Sequence, residues 1–156
     1  MRITLIAVGR LRAGPEADLV RDYFARFDKA GRPFGLGPAK IVEIDDRSGG
    51  GPESEAALIT AALPKGAAMI ALDERGRGMT SPDFATLLQN RADGGLRDLA
   101  LVIGGADGLA PDLRDRADHL LSFGTMVWPH MLARVMLAEQ LYRAATILAG
   151  SPYHRA

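Results

Sequence analysis

The chain has 156 residues, and its 19 lysines and arginines balance 19 aspartates and glutamates, so the net charge at neutral pH is zero. That balance excludes a general electrostatic affinity for nucleic acid and leaves only a local patch or a groove shared between subunits. Cysteine is absent, which removes disulfides, thiolate metal sites and cysteine nucleophiles and fits a reducing cytoplasm.

The length suits one domain, 1–156, with a core of its own. The start of the chain, Met-Arg-Ile-Thr-Leu-Ile-Ala-Val-Gly, has a short apolar run and no small-residue cleavage site, so it reads as a strand over 3–8 rather than as a signal peptide. No window approaches the roughly 18 apolar residues of a membrane span. Pro15 and Glu16 suit the first turn of a helix whose Leu19, Val20, Tyr23, Phe24 and Phe27 recur at helical spacing. A Gly- and Pro-rich loop over 31–38 leads to a short strand over 41–44. The polar stretch 45–52 contains three successive glycines and is expected to be a mobile loop. A helix over 53–63 stops at Pro64.

The third strand is expected over 67–72, followed by a charged turn, Asp73-Glu-Arg-Gly-Arg-Gly78. Ser81 as N-cap and Pro82 at the first helical position open the next helix. The unbroken apolar run 99–103 reads as a strand buried on both faces. A short helix is expected over 111–121, a fifth strand over 123–128, and a long last helix over 131–148. Strands alternating with helices predict an α/β fold: a single three-layer domain with a mostly parallel sheet. The last helix carries apolar residues around well over half its circumference. Either it is covered within one subunit, or it forms a homodimer interface.

Two candidate ligand loops lie at strand ends, where open α/β sheets bind ligands. Gly104-Gly105-Ala-Asp-Gly108 is not the dinucleotide fingerprint, because its first two glycines are adjacent; it is a tight strand-to-helix turn or a cofactor loop. Gly9 and Gly14 have the spacing of a phosphate-binding loop, but Pro15-Glu16 replaces the required Lys-Ser/Thr. His119, His130 and His154 have no metal-ligand spacing, so no metal is expected. His130, at a strand end, either contacts a ligand or bonds structurally. The 73–78 turn is a solvated loop or a wall of the cleft. Tyr153-His154-Arg155 combines a stacking platform, a group that titrates near neutrality and a phosphate clamp, in a terminus that is otherwise expected to fray.

Six ordered blocks carry more information together than any one of these motifs. They are Leu72-Asp-Glu-Arg-Gly76, Ile103-Gly-Gly105-x-x-Gly108, Trp128-Pro-His130, Arg134-Val135, Glu139-Gln-Leu-Tyr-Arg143 and Pro152-Tyr-His-Arg155. This set, spread over nearly the whole chain, resembles the RlmH-type ribosomal RNA large-subunit methyltransferases of the SPOUT (α/β-knot) class. The resemblance implies a carboxyl-terminal deep trefoil knot, a homodimer and the cofactor S-adenosyl-L-methionine. It places the cofactor on Leu72, Gly105, Phe123, Gly124, Thr125, Met126, Val127 and Trp128. It also implies methylation at N3 of a pseudouridine in helix 69 of 23S rRNA, on the assembled 70S ribosome in the cytoplasm. His154 is then the candidate base, with Tyr153 and Arg155 as its catalytic companions. Arg134, Arg143 and His130 are candidate substrate-binding residues, and internal ion pairing is the other reading of the two arginines.

The chain departs from the family pattern at Ala106-Asp107, in the lack of a basic residue over 123–125, and at the terminal Ala156. Two other functions remain at this level: a SPOUT methyltransferase that acts on tRNA, and a non-catalytic RNA- or nucleotide-binding dimer.

Overall fold

A computed structural model describes residues 1–45 and 50–154. Its elements are β1 (Arg2–Val8), α1 (Pro15–Gly31), β2 (Ala39–Ile44), α2 (Gly51–Ala62), β3 (Ala68–Gly78), α3 (Ser81–Asp93), β4 (Asp98–Ile103), α4 (Pro111–Asp115), β5 (His119–Ser122) and α5 (His130–Leu148), with one 3₁₀ turn at Arg32–Phe34. The strands form one sheet in the order β2-β1-β4-β3-β5, with every neighbouring pair parallel.

The period of two along a strand divides the core into two layers. Ile3, Leu5 and Ala7 of β1, with Leu99, Leu101 and Ile103 of β4, meet Phe24 and Phe27 of α1, Leu88 of α3, and Leu137 and Leu141 of α5. On the other face Ile6 and Val8, with Ala100 and Val102, meet Ile59 of α2 and Leu113 of α4. The three-layer α/β expectation therefore holds. Pro15 opens α1 with Glu16 and Asp18 in its first turn, where carboxylates favour the positive end of the helix dipole.

The structure corrects the sequence reading in three places. The fifth strand lies at His119–Ser122, not over 123–128, and α4 ends at Asp115. Asp118 decides this: its backbone N–H donates to Met69 O at 2.8 Å and its carboxylate accepts from Met69 N–H at 2.8 Å. This pair of bonds sets the register in which His119 stands beside Ile70. The run 123–128 is then a loop, begun by Gly124 at φ 108°, a conformation that L side chains rarely adopt. Second, 73–78 is not a free turn but the outer half of β3. Third, the N-cap of α3 is Thr80, whose hydroxyl accepts from Asp83 N–H at 3.2 Å. Ser81 instead donates to Gln140 Oε1 at 2.7 Å and ties α3 to α5.

The reading of α5 as a helix covered within one subunit holds for part of its length. Its middle and end, including Leu137, Ala138, Leu141, Ala144 and Ala145, are buried within the chain against α1 and α3. Its beginning is not: Met131 and Leu132 are exposed, and the loop before them exposes 71% of Met126 and 84% of Val127. Among the described residues no helix is long and apolar enough to cross a membrane.

Candidate active site

A cavity of about 270 Å³ opens at the carboxyl ends of β3, β4 and β5. Three backbone segments build it. The first is a bulge in β3: Leu72 and Arg77 both stand opposite Leu121, so residues 73–76 loop away from the β5 ladder. The bulge brings Asp73, Glu74 and Arg75 to the cavity wall. The Asp73 side chain is almost fully buried, and Oδ1 accepts from Arg75 N–H at 2.9 Å.

The second segment is the glycine turn after β4, where Gly108 N–H donates to Gly105 O at 3.0 Å. A Cβ on Gly104 would stand 2.9 Å from the Gly108 carbonyl, so only glycine allows the turn to fold this tightly. Gly105 N–H donates to Glu55 Oε2 at 3.0 Å. The third segment is the loop 123–128. Ser122 Oγ donates to Gly124 O at 3.0 Å and accepts from Gly124 N–H at 3.1 Å. These bonds fold the loop over the cavity.

Of the eight sequence-predicted cofactor residues, Leu72, Gly105, Phe123, Gly124, Val127 and Trp128 line this one cavity, together with His130. Thr125 and Met126 lie in the same loop but face outward. Ile103, Ala133 and the apolar members of this set offer a wall for a flat aromatic ring. Glu74 and Asp107 offer negative charge to a cationic ligand, beside Arg75, which pairs with Asp73 and Glu74. A cofactor that joins an adenine to a positively charged sulfur and an amino group fits that combination. Among the described residues no three histidines or carboxylates gather as a metal site.

Tyr153, His154, Arg134 and Arg143 do not line this cavity. Tyr153 packs against Tyr142 in a tilted ring contact, with centroids 4.7 Å apart, and its phenol donates to Glu139 Oε1 at 3.0 Å. The Arg143 guanidinium lies 5.0 Å from the Tyr153 ring and donates to the same Glu139 oxygen at 2.5 Å. Partial burial, helped by the Glu139 carboxylate, pushes the Tyr153 phenol above its ordinary range. The phenol therefore stays protonated at neutral pH, a donor and not a base. The Nδ1 atom of His154 is shielded from solvent without a hydrogen-bond partner among the described residues. Neither Tyr153 nor His154 lines the cavity of its own chain; Arg155 and Ala156 lie outside the described residues.

Arg134 is buried, and its Nη2 donates to Val8 O at 2.6 Å and Gly9 O at 3.0 Å. Its Nη1 lies 3.4 Å from Glu43. Desolvation pulls its pKa below the usual arginine value, against the opposing pull of Glu43. Of its two readings, internal pairing is the one this geometry has.

Residues 1–154 match the family described as "Predicted SPOUT methyltransferase". The chain belongs to the SPOUT methyltransferase family. Among similar relatives are proteins named "Ribosomal RNA large subunit methyltransferase H" from Cereibacter sphaeroides (strain ATCC 17023), 67% identical, and Ruegeria pomeroyi, 63% identical; each alignment covers 99% of both chains. The RlmH-type resemblance thus holds across the whole chain. Two solved methylase family proteins share the fold at lower identity. One, from Haemophilus influenzae, is 14% identical with a TM-score of 0.50, over 99% of this chain and 70% of its own. The other, from Neisseria gonorrhoeae, is 16% identical with a TM-score of 0.50, over 99% and 87%.

Outside the cavity of this SPOUT methyltransferase stand residues that sequence reasoning passed over and that hold its surroundings in place. Glu55 looked like any exposed helix carboxylate, and nothing in its spacing points to a turn fifty residues away. Glu139 was visible only as part of a motif block. Gly76 was part of another, and its reason is steric. A Cβ there would stand 2.7 Å from the Leu120 carbonyl group, because the β3 bulge crosses the backbone of β5. Gly76→Ala is therefore expected to cost about 3 kcal/mol, since backbone cannot yield as a flexible side chain does. Urea unfolding checks it: a change under about 0.5 kcal/mol would show that the crossing has room for a methyl group.

Proposed function

We propose that this chain transfers a methyl group from S-adenosyl-L-methionine to N3 of a pseudouridine in helix 69 of 23S rRNA. It does so on the assembled 70S ribosome in the cytoplasm, as a homodimer with a trefoil-knotted carboxyl-terminal half. The observation that carries this reading is the cavity at the ends of β3, β4 and β5. It gathers six of the eight family cofactor positions in a chain 67% identical to a protein named for ribosomal RNA methylation.

Leu72, Gly105 and the run Phe123, Gly124, Thr125, Met126, Val127 and Trp128 would hold the cofactor. When bound, it supplies a methyl group already activated by a sulfonium, so the protein has to align the nucleophile and help N3 lose its proton. His154 is the group to accept that proton. Tyr153, a neutral donor, and Arg155, a phosphate clamp, hold the nucleotide, with His130 and Arg143 beside them. Neither Tyr153 nor His154 lines the cavity of its own chain, so the reading sends the tail to the partner subunit's cavity. The exposed apolar side chains of Met126, Val127, Trp128, Met131 and Leu132 form a patch suited to a second copy. The balanced net charge suits a substrate recognised by shape on the ribosome, with Arg10, Arg12, Arg75 and Arg77 as local contacts.

The test offers labelled S-adenosylmethionine with 70S ribosomes, free 50S subunits and bulk tRNA in parallel. Label in 23S rRNA only with 70S is the expected result. Label in tRNA would reassign the substrate, and no transfer despite bound cofactor would favour a binding role.

A further inference from the structure

The glycine turn needs support that its own sequence does not supply. Gly104 and Gly105 are buried at the end of β4, so the Gly105 N–H must find a partner inside the protein. The partner is Glu55, in the first half of α2, whose Oε2 accepts this hydrogen bond at 3.0 Å. The carboxylate lies against the glycine itself: a Cβ on residue 105 would overlap both Glu55 oxygens. So in this chain the absence of a side chain at 105 makes room for Glu55. Helix α2 is fixed to the sheet by Ile59 and Ala56 in the second core layer, which gives the carboxylate a firm base. Glu55 itself does not line the cavity; it stands behind the turn whose Gly104, Gly105 and Gly108 do.

We propose that Glu55 is a positioning residue for the cofactor: it holds the 104–108 turn in the shape that binds S-adenosylmethionine, and acts only through Gly105. Among the described residues it makes the one side-chain hydrogen bond to this turn. A carboxylate acceptor makes that bond stronger than a neutral one would. Without it a buried N–H is left unpaired, and the turn can rotate to present the donor to water.

The inference rests on the proposed cofactor, and the experiment separates the two. Calorimetric titration of the full-length protein with S-adenosylmethionine gives Kd for the wild type, Glu55→Ala and Glu55→Gln. Steady-state methyl transfer gives KM and kcat. Glu55→Ala is expected to raise Kd and the cofactor KM about tenfold, the size of one charge-assisted hydrogen bond, with kcat at saturating cofactor changed less than threefold. Glu55→Gln, whose amide oxygen still accepts, restores most of the affinity. A merely structural role would lower thermal stability and leave Kd where it was. Glu55→Asp keeps the charge on α2 but withdraws the carboxylate, and shows the same loss should the alanine variant not fold. Wild-type Kd in Glu55→Ala, or tighter binding, would overturn the role of Glu55 alone. A wild-type protein that does not bind S-adenosylmethionine would overturn this role and the proposed function together.

Discussion

Deletion of residues 153–156 is expected to lower methyl transfer at least a hundredfold while leaving S-adenosylmethionine binding within about twofold of the full chain. The two effects separate because the cavity is built from β3, β4, β5 and the loop 123–128, without Tyr153 or His154. General acid–base assistance is worth about a hundredfold to ten-thousandfold, and the tail carries the only base the proposal uses. The deletion also removes the Tyr153 contact with Tyr142 and its bond to Glu139. Tyr142 keeps its own packing against the core when the tail is gone, so the fold should survive. Titration calorimetry and a labelled-methyl assay on 70S ribosomes read the two quantities. Retained transfer would remove the tail from the mechanism; lost cofactor binding would mean that it closes the cavity.

Arg134→Met is expected to destabilise the protein by about 3 kcal/mol, and that effect is on the fold before it is on the reaction. The guanidinium joins three elements: it donates to Val8 and Gly9 at the end of β1, and it pairs with Glu43 of β2 from a position on α5. Glu43 in turn accepts from Leu11 N–H at 2.6 Å, and so fixes the loop that leaves β1. Methionine replaces most of the volume but takes the arginine donor from two carbonyls and the counter-charge from the Glu43 carboxylate, and such losses exceed the net worth of the bonds themselves. Urea unfolding of Arg134→Met, Glu43→Gln and the double variant measures the cost and the coupling. The double variant should recover part of the loss. A single-variant cost below about 1 kcal/mol would return Arg134 to the candidate substrate contacts.

Much of the architecture can be read in the order of residues, because strands buried on both faces must be almost wholly apolar. The runs at β1 and β4 had no other place to go, and the helices between them forced parallel pairing. The same rule misplaced β5. The run Phe123-Gly-Thr-Met-Val-Trp128 is apolar enough for a strand, yet the short, less apolar His119-Leu-Leu-Ser122 pairs with β3. Asp118 fixes that register through two hydrogen bonds to Met69, and a bond between positions far apart in the chain leaves no periodic trace. The apolar character of 123–128 answers to the cavity and to the exposed patch, not to the sheet.

The sequence by itself determined the α/β class and the family, and the family resemblance pointed to six residues that line one cavity, since these depend on local periodicity and on motif blocks that persist whatever the surrounding packing. Only the tertiary structure decided that residues 73–76 bulge over β5, that Arg134 is an internal brace, and that Glu55 holds Gly105. Each of these depends on a contact between segments distant in sequence, where geometry alone determines which of many ordinary carboxylates, arginines and glycines meet.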